Sequence, residues 1–348
     1  MSILEAKAAL DAVIKKSRVL FYKPIQIAEI LYRDRVVGDI NLSDLETYRS
    51  KSKKWRNDMC LPLLGRVSTS SAKYQDDIFN AIPQELIAEM GTYNREHNGA
   101  VEAYVYNRFS NKHSQLSNAL AYCLAATKET FEVKHFIDSF WNEPGLKRSL
   151  DKIYEIVVYS LFSTLVETLE LTVEVSISED KMELLSEFED FTKSVMCLDF
   201  STPTYIQDAR VYRVGVTNAA DRGLDMYSNW GPAIQIKHLS LDVELAENIV
   251  SSVSSDKIVI VCKSAEKAVI ISLLTQIGWR SRIQSIITEV DLIRWYEKAL
   301  RGKYSDIMGS ELIGVLCQEI AEEFPSVDDF PSILKDRHYE AISDDFWI

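Results

Sequence analysis

Much is excluded by what this sequence lacks. Its 348 residues include only 12 glycines and 8 prolines, which excludes collagen-like repeats and leaves little material for long loops or flexible linkers. Neither GxGxxG nor GxxxxGK[ST] occurs, so the glycine-rich phosphate cradles of dinucleotide-binding and P-loop enzymes are absent. No GxSxG supports serine hydrolase chemistry, and the 5 histidines form no HExxH zinc helix. The 5 cysteines (Cys60, Cys123, Cys197, Cys262 and Cys317) show no CxxC and no zinc spacing with histidine. That scatter, in mostly apolar surroundings, predicts reduced core thiols in a cytoplasmic protein. Long hydrophobic runs are missing too. The stretch Ile156 to Val166 is interrupted by Ser160, Ser163 and Thr164 and is too short to span a bilayer. The opening MSILEAKAALDAVIKK alternates charges with apolar residues, unlike a signal peptide. Finally, positive charge is in deficit: 39 Lys and Arg face 52 Asp and Glu, for a net charge of -13. Taken over the whole chain, that balance argues against a polyanionic partner.

What is present divides into three regions. Residues 1–145 read as helical. Leu4, Ala8, Leu10, Val13 and Ile14 mark a first amphipathic helix. Pro24 stands where a first helical turn accepts it, ahead of IQIAEILYRDRVV. A second run, DLETYRSKSKKWRNDM, follows a short turn. This is compatible with a helix-turn-helix DNA reader and equally with an ordinary helical hairpin. Residues 146–302 change texture. KIYEIVVYSLFSTLVETL reads as a buried helix, LTVEVSI as a strand, and 178–200 as an acidic helical insertion. Strands follow at ARVYRVGVT, GLDMYS, AIQIKHL and KIVIVCK, the last apolar enough for the centre of a sheet. The helix LDVELAENIVSSV lies between the last two, and AEKAVIISLLTQI, RIQSIIT and a helix through Trp295 and Tyr296 complete the series. The order predicts an α/β (α+β) domain with a mixed sheet. Residues 303–348 read as a helical tail carrying eleven acids against three bases.

Charge is unevenly spread. Between Glu46 and Lys73 seven basic residues (Arg49, Lys51, Lys53, Lys54, Arg56, Arg66 and Lys73) face only Glu46 and Asp58. Tyr48, Trp55 and Tyr74 are interleaved, beside Ser68-Thr69-Ser70-Ser71. Cations, rings and hydroxyls of this kind serve phosphate contact and base stacking. The alternative is a solvated helix face.

One constellation carries chemistry. Along AIQIKHL, Ile234 and Ile236 share one face and Gln235 and Lys237 the other. The turn Asn229-Trp230-Gly231-Pro232 can fold Asp225 back towards the polar face. A carboxylate and a nearby oxygen ligand suit Mg²⁺, and a lysine two residues on can orient a nucleophile for phosphodiester hydrolysis. A structural salt bridge is the competing reading, since a half-buried lysine needs a partner. His97-Asn98 and Asn111-Lys112-His113 read as exposed loop histidines in preference to an HNH nuclease site, for which the flanking hairpin and helix are missing. Asp221 reads as a turn cap, with participation in the site as the alternative, and His238 as a packing residue.

The segment AADRGLDMYSNWGPAIQIKHL resembles the PD-(D/E)xK nuclease core in its Mrr-like QxK variant. YEIVVYSLFSTLVETLELTVEV resembles the helix and strand that open that core. With YKPIQIAEILYRDR and GRVSTSSAKYQDD included, nearly the whole chain is similar to the HaeII family of type II restriction endonucleases. Two departures stand out. Leu224 occupies the position of the proline in the superfamily motif, and Gln235 replaces an acid, which leaves the metal site one charge short. The resemblance implies a restriction-endonuclease-like mixed-sheet core and Mg²⁺-dependent cleavage of double-stranded DNA, at a short, GC-rich palindrome and with 5′-phosphate ends. It also implies a homodimer in the bacterial cytoplasm and a cognate DNA methyltransferase. Asp225, Gln235 and Lys237 become the expected catalytic residues, with Asp225 and Gln235 on the metal. Glu155 is the expected further ligand, with Glu167 as the second choice. Arg49, Arg56 and Arg66 become candidates for guanine contacts. A non-catalytic DNA-binding regulator and a structure-selective repair nuclease remain the alternatives.

Overall fold

The computed structural model describes residues 2–17, 20–68, 76–143, 146–214, 224–276, 278, 282–324, 330–342 and 347. The N-terminal half is helical, as its periodicity predicts. Helix α1 (Ile3–Lys16) begins at a capping box in which Ser2 and Glu5 satisfy each other's backbone N–H groups. Helix α2 (Tyr22–Tyr32) carries Pro24 in its first turn, and α3 (Lys51–Leu64) packs against α2. Helices α4 (Gln84–Glu96) and α5 (Ala100–Ala125) follow. Together with Tyr339 and Trp347 from the far end of the chain, these helices enclose a first hydrophobic core.

Helix α5 belongs to two cores. Val101, Val105 and Phe109 lie in the first, whereas Leu116, Ala119 and Cys123 lie in a second. The second core continues through α6 (Val133–Asn142) and α7 (Leu150–Thr168) to one face of a five-stranded sheet. It is completed by α10 (Glu289–Arg301) and α11 (Ser305–Glu323). The opposite face of the sheet is covered by α8 (Val243–Ser252) and α9 (Lys267–Gln276).

The sheet has the order β3-β4-β5-β6-β7 (Val211–Arg213, Met226–Ser228, Ala233–Leu241, Ile258–Ala265 and Ile283–Thr288). β3, β4 and β5 form an antiparallel meander, and β5, β6 and β7 run parallel. Mixed pairing in layers covered by helices is the α+β architecture expected from the order of elements. The apolar run Ile258 to Cys262 is buried, in keeping with its interior place. β5 is irregular between Lys237 and Ser240, where three steps of this strand pass two of β6, from Cys262 to Ser264.

One expectation needs correction. LTVEVSI does form a strand, β1 (Thr172–Ser176), but it does not open the main sheet. It pairs antiparallel with β2 (Thr204–Asp208), a strand with no clear signal in its residues, in a separate two-stranded ribbon around the acidic insertion. Neither strand contains a buried residue, so the alternation marks strand conformation without marking a core face. Among the described residues no helix is long and apolar enough to cross a membrane.

Candidate active site

The β4–β5 hairpin assembles the constellation read from the sequence. Register pairs Met226 with Ile234 and Tyr227 with Ala233; one further step along each strand sets Asp225 across from Gln235. Ile234 and Ile236 enter the core beneath α7, so alternation turns Gln235 and Lys237 to the face of α8 and α9. The Asp225 carboxylate accepts the backbone N–H of Ile236 at 2.8 Å and lies 3.4 Å from Lys237 Nζ. Both residues keep partial access to solvent. Gln235 is only 2% exposed, and its Nε2 has no hydrogen-bond partner among the described residues. A buried amide without a partner costs about 1–3 kcal/mol, which a purely structural side chain at this position has no reason to incur.

Glu155 projects from α7, which packs on the other face. It is buried, and Lys152 donates to it at 2.6 Å. Burial, reinforced by the nearby Asp225 carboxylate, pushes its pKa upward, against the opposing charges of Lys152 and Arg213. Glu155 and Asp225 therefore share an electrostatic field without sharing a hydrogen bond. Glu167 is separated from Glu155 by three helical turns, about 18 Å along the axis, and accepts from Ser163. Of the two glutamates, Glu155 is the one the fold brings near Asp225.

The chemistry of this donor set suits a hard divalent cation. Two carboxylates and an amide side chain offer oxygen ligands, and a cation would offset the repulsion between the carboxylates. The set is lean, since among the described residues no group of three or more His, Cys, Asp or Glu side chains converges on a metal position.

Arg213 was missed by the sequence reading. It stands on β3 in a mostly buried position, its guanidinium held by Glu319 at 2.8 Å and Glu323 at 3.1 Å. It lies two residues from the buried Val211, hence on the core face, and that placement was the available signal. Its partners follow more than a hundred residues later on α11, beyond the reach of any local pattern.

The described N-terminal basic residues have different surroundings. Arg49 is shared between Glu46 and Asp76, and Lys53 pairs with Asp76 at 2.8 Å. Arg56 is 1% exposed, bonded to Gln26 and Asn57 within the α2–α3 interface. Arg66 donates to the Glu323 carbonyl. Lys51 and Lys54 are exposed. Lys73 and Asp221 fall outside the described residues.

The histidine expectations change as well. Lys112 and His113 sit inside α5 and are buried rather than in an exposed loop, because Lys112 donates to the Ser17 carbonyl and His113 packs on Phe109. His97 stacks on Tyr93 with ring centroids 3.9 Å apart. His238 is half-buried and contacts Asp151 through Nδ1. Among the cysteines, Cys60, Cys123 and Cys262 are buried, Cys317 is partly buried and Cys197 is exposed.

Comparison with known proteins bears on the whole chain. The model of the HaeII restriction endonuclease family matches residues 6–339. The type II restriction enzyme HaeII of Haemophilus aegyptius is 56% identical over 343 residues, covering 97% of each chain. The type II restriction enzyme NgoBI of Neisseria gonorrhoeae is 54% identical over 341 residues, again covering 97% of each. No solved structure matches.

Proposed function

Because the chain belongs to the HaeII restriction endonuclease family, and so to the type II site-specific deoxyribonucleases that act on double-stranded DNA, we propose that Asp225, Gln235, Lys237 and Glu155 form its cleavage site. The observation that carries this reading is the β4–β5 hairpin, which joins Asp225 and Lys237 beside the buried Gln235 side chain.

In the proposed reaction a water attacks the phosphorus in line with the 3′ oxygen, which leaves, and the phosphate stays on the 5′ end. Lys237, on a strand between two helical layers, orients the attacking water and stabilises negative charge as it develops on the phosphate. Asp225 and Glu155 would hold Mg²⁺, with the Gln235 amide oxygen as a third donor. When bound, Mg²⁺ supplies positive charge for the transition state and lowers the pKa of a coordinated water. The hydrogen bond from Ile236 N–H fixes one oxygen of Asp225 and limits its rotation. In keeping with the identity to restriction enzymes, the target is a short duplex palindrome, GC-rich as the family resemblance implies. A homodimer matches such a two-fold target, and a methyltransferase of the same specificity would protect the host.

The test is cleavage of plasmid DNA with Mg²⁺, with and without chelator, by wild type and Lys237→Ala. Discrete bands from wild type, lost with chelator and lost in the variant, are expected. Wild-type-like banding by Lys237→Ala sinks the assignment of the site.

A further inference from the structure

A second cationic surface lies beside this site. Trp141, at the end of α6, carries the ammonium of Lys147 4.5 Å from its ring centroid and that of Lys263 4.1 Å from it. The two lysines come from different elements, a turn before α7 and strand β6. Both are exposed, and neither forms an ion pair with a described residue. Register places Lys263 one residue beyond Cys262, the β6 partner of Lys237. His238 follows Lys237 at the irregular point of β5 and engages Asp151 at the start of α7. Lys263, with Lys147 beside it on the Trp141 ring, thus approaches the second half of β5 and β6 from the α7 side, while Lys237 occupies the other face.

Two ammonium groups on one ring repel each other, and a protein of net charge -13 has acids to spare for neutralising them. Here no described acid pairs with either of them, whereas most of the basic residues of the N-terminal stretch are bonded within the protein. A polarisable ring that holds two lysines forward keeps their charges in place for an anionic partner.

We propose that Lys147 and Lys263, held on Trp141, bind the phosphate backbone of the duplex next to the scissile phosphate. The strand being cut passes over the ends of β5 and β6, meeting Lys237 on one side and the tryptophan-mounted pair on the other. The inference rests on the cleavage site proposed for Asp225, Gln235, Lys237 and Glu155 and adds a backbone-gripping surface to it. Phosphate-binding lysines of this type set register and affinity but read no bases.

The experiment measures binding of the full-length protein to a fluorescein-labelled random-sequence duplex in chelator, by anisotropy over a series of salt concentrations. Lys147→Gln/Lys263→Gln is compared with wild type; glutamine removes the charge, retains the first part of each stem and spares the core packing of Trp141. Removing two phosphate-neutralising charges makes the slope of log K against log salt shallower by about two units, while the thermal midpoint stays that of wild type. A slope equal to that of wild type overturns the inference, because a packing role leaves the slope unmoved. Plasmid cleavage by the wild type is run alongside. A wild type that neither binds nor cuts DNA removes the cleavage reading itself, whereas one that cuts, paired with a variant of unchanged slope, removes only this surface.

Discussion

At the scale of single residues, function and stability pull against each other at Gln235. Its side chain is enclosed and its amide nitrogen lacks a partner among the described residues. Gln235→Leu should therefore keep or raise the stability, by up to about 1–2 kcal/mol in urea denaturation. The same change should eliminate cleavage, because it removes an oxygen from beside Asp225. A loss of stability with cleavage retained would assign Gln235 to packing alone. The trio Asp225, Gln235 and Lys237 was legible because strand alternation and a four-residue turn fix its geometry locally. Arg56 was not: nothing in KSKKWRND separates the arginine that faces Gln26 across the α2–α3 interface from its solvated neighbours. The burial of that guanidinium is decided by the packing of another helix.

At the scale of elements, α10 shows how one carboxylate closes several bonds. Thr288 and Asp291 form a capping box at its start, and Lys267 of α9 reaches the same carboxylate at 2.6 Å. Desolvation opposes the charge, but the hydrogen bonds from Lys267 and Thr288 outweigh it and hold the Asp291 pKa down to about 2. A depressed carboxylate stabilises the fold above its unfolded value of 3.8 and loses that contribution as pH falls towards 2. Asp291→Asn should accordingly lower the melting temperature at pH 7, with the gap from wild type shrinking between pH 4 and pH 2; a pH-independent gap would exclude the ionised form as its source. On α3, Lys51 and Lys54 are exposed while Lys53 is engaged by Asp76. Lys51→Ala/Lys54→Ala should flatten the salt slope of duplex binding by roughly one unit for each phosphate these lysines neutralise, and an unchanged slope would leave both lysines in solvent. Most helices were legible from apolar periodicity, since their buried faces are contiguous in sequence. Which sheet a strand joins was not, because β1 alternates like a core strand while β2 offers it a partner outside the core.

At the scale of the whole molecule, the far end of the chain is built into the beginning. Arg337 bonds both carboxylate oxygens of Glu29, which also accepts from Tyr106. Tyr339 donates to Glu102, a buried carboxylate that Arg35 also holds. Arg337→Ala leaves Glu29 enclosed without its cation, at a cost of about 3–5 kcal/mol; urea unfolding should show it as a lowered midpoint, and an unaltered midpoint would mean that Glu29 finds water instead. The sequence revealed the acidity of the tail but not this use of its few bases, for the partners stand some three hundred residues apart. Nor did it reveal that α5 serves two cores, because its apolar positions carry no mark of which partner they meet. The return of Tyr339 and Trp347 to the first core also has a consequence for the timing of synthesis. On the ribosome the N-terminal helices emerge first, while Glu29 and Glu102 still lack Arg337 and Tyr339, the partners that hold them in the finished core. Two buried carboxylates of the earliest-made helices are therefore left without these partners through the synthesis of the whole sheet domain, and the first core closes around them only when the later segment returns.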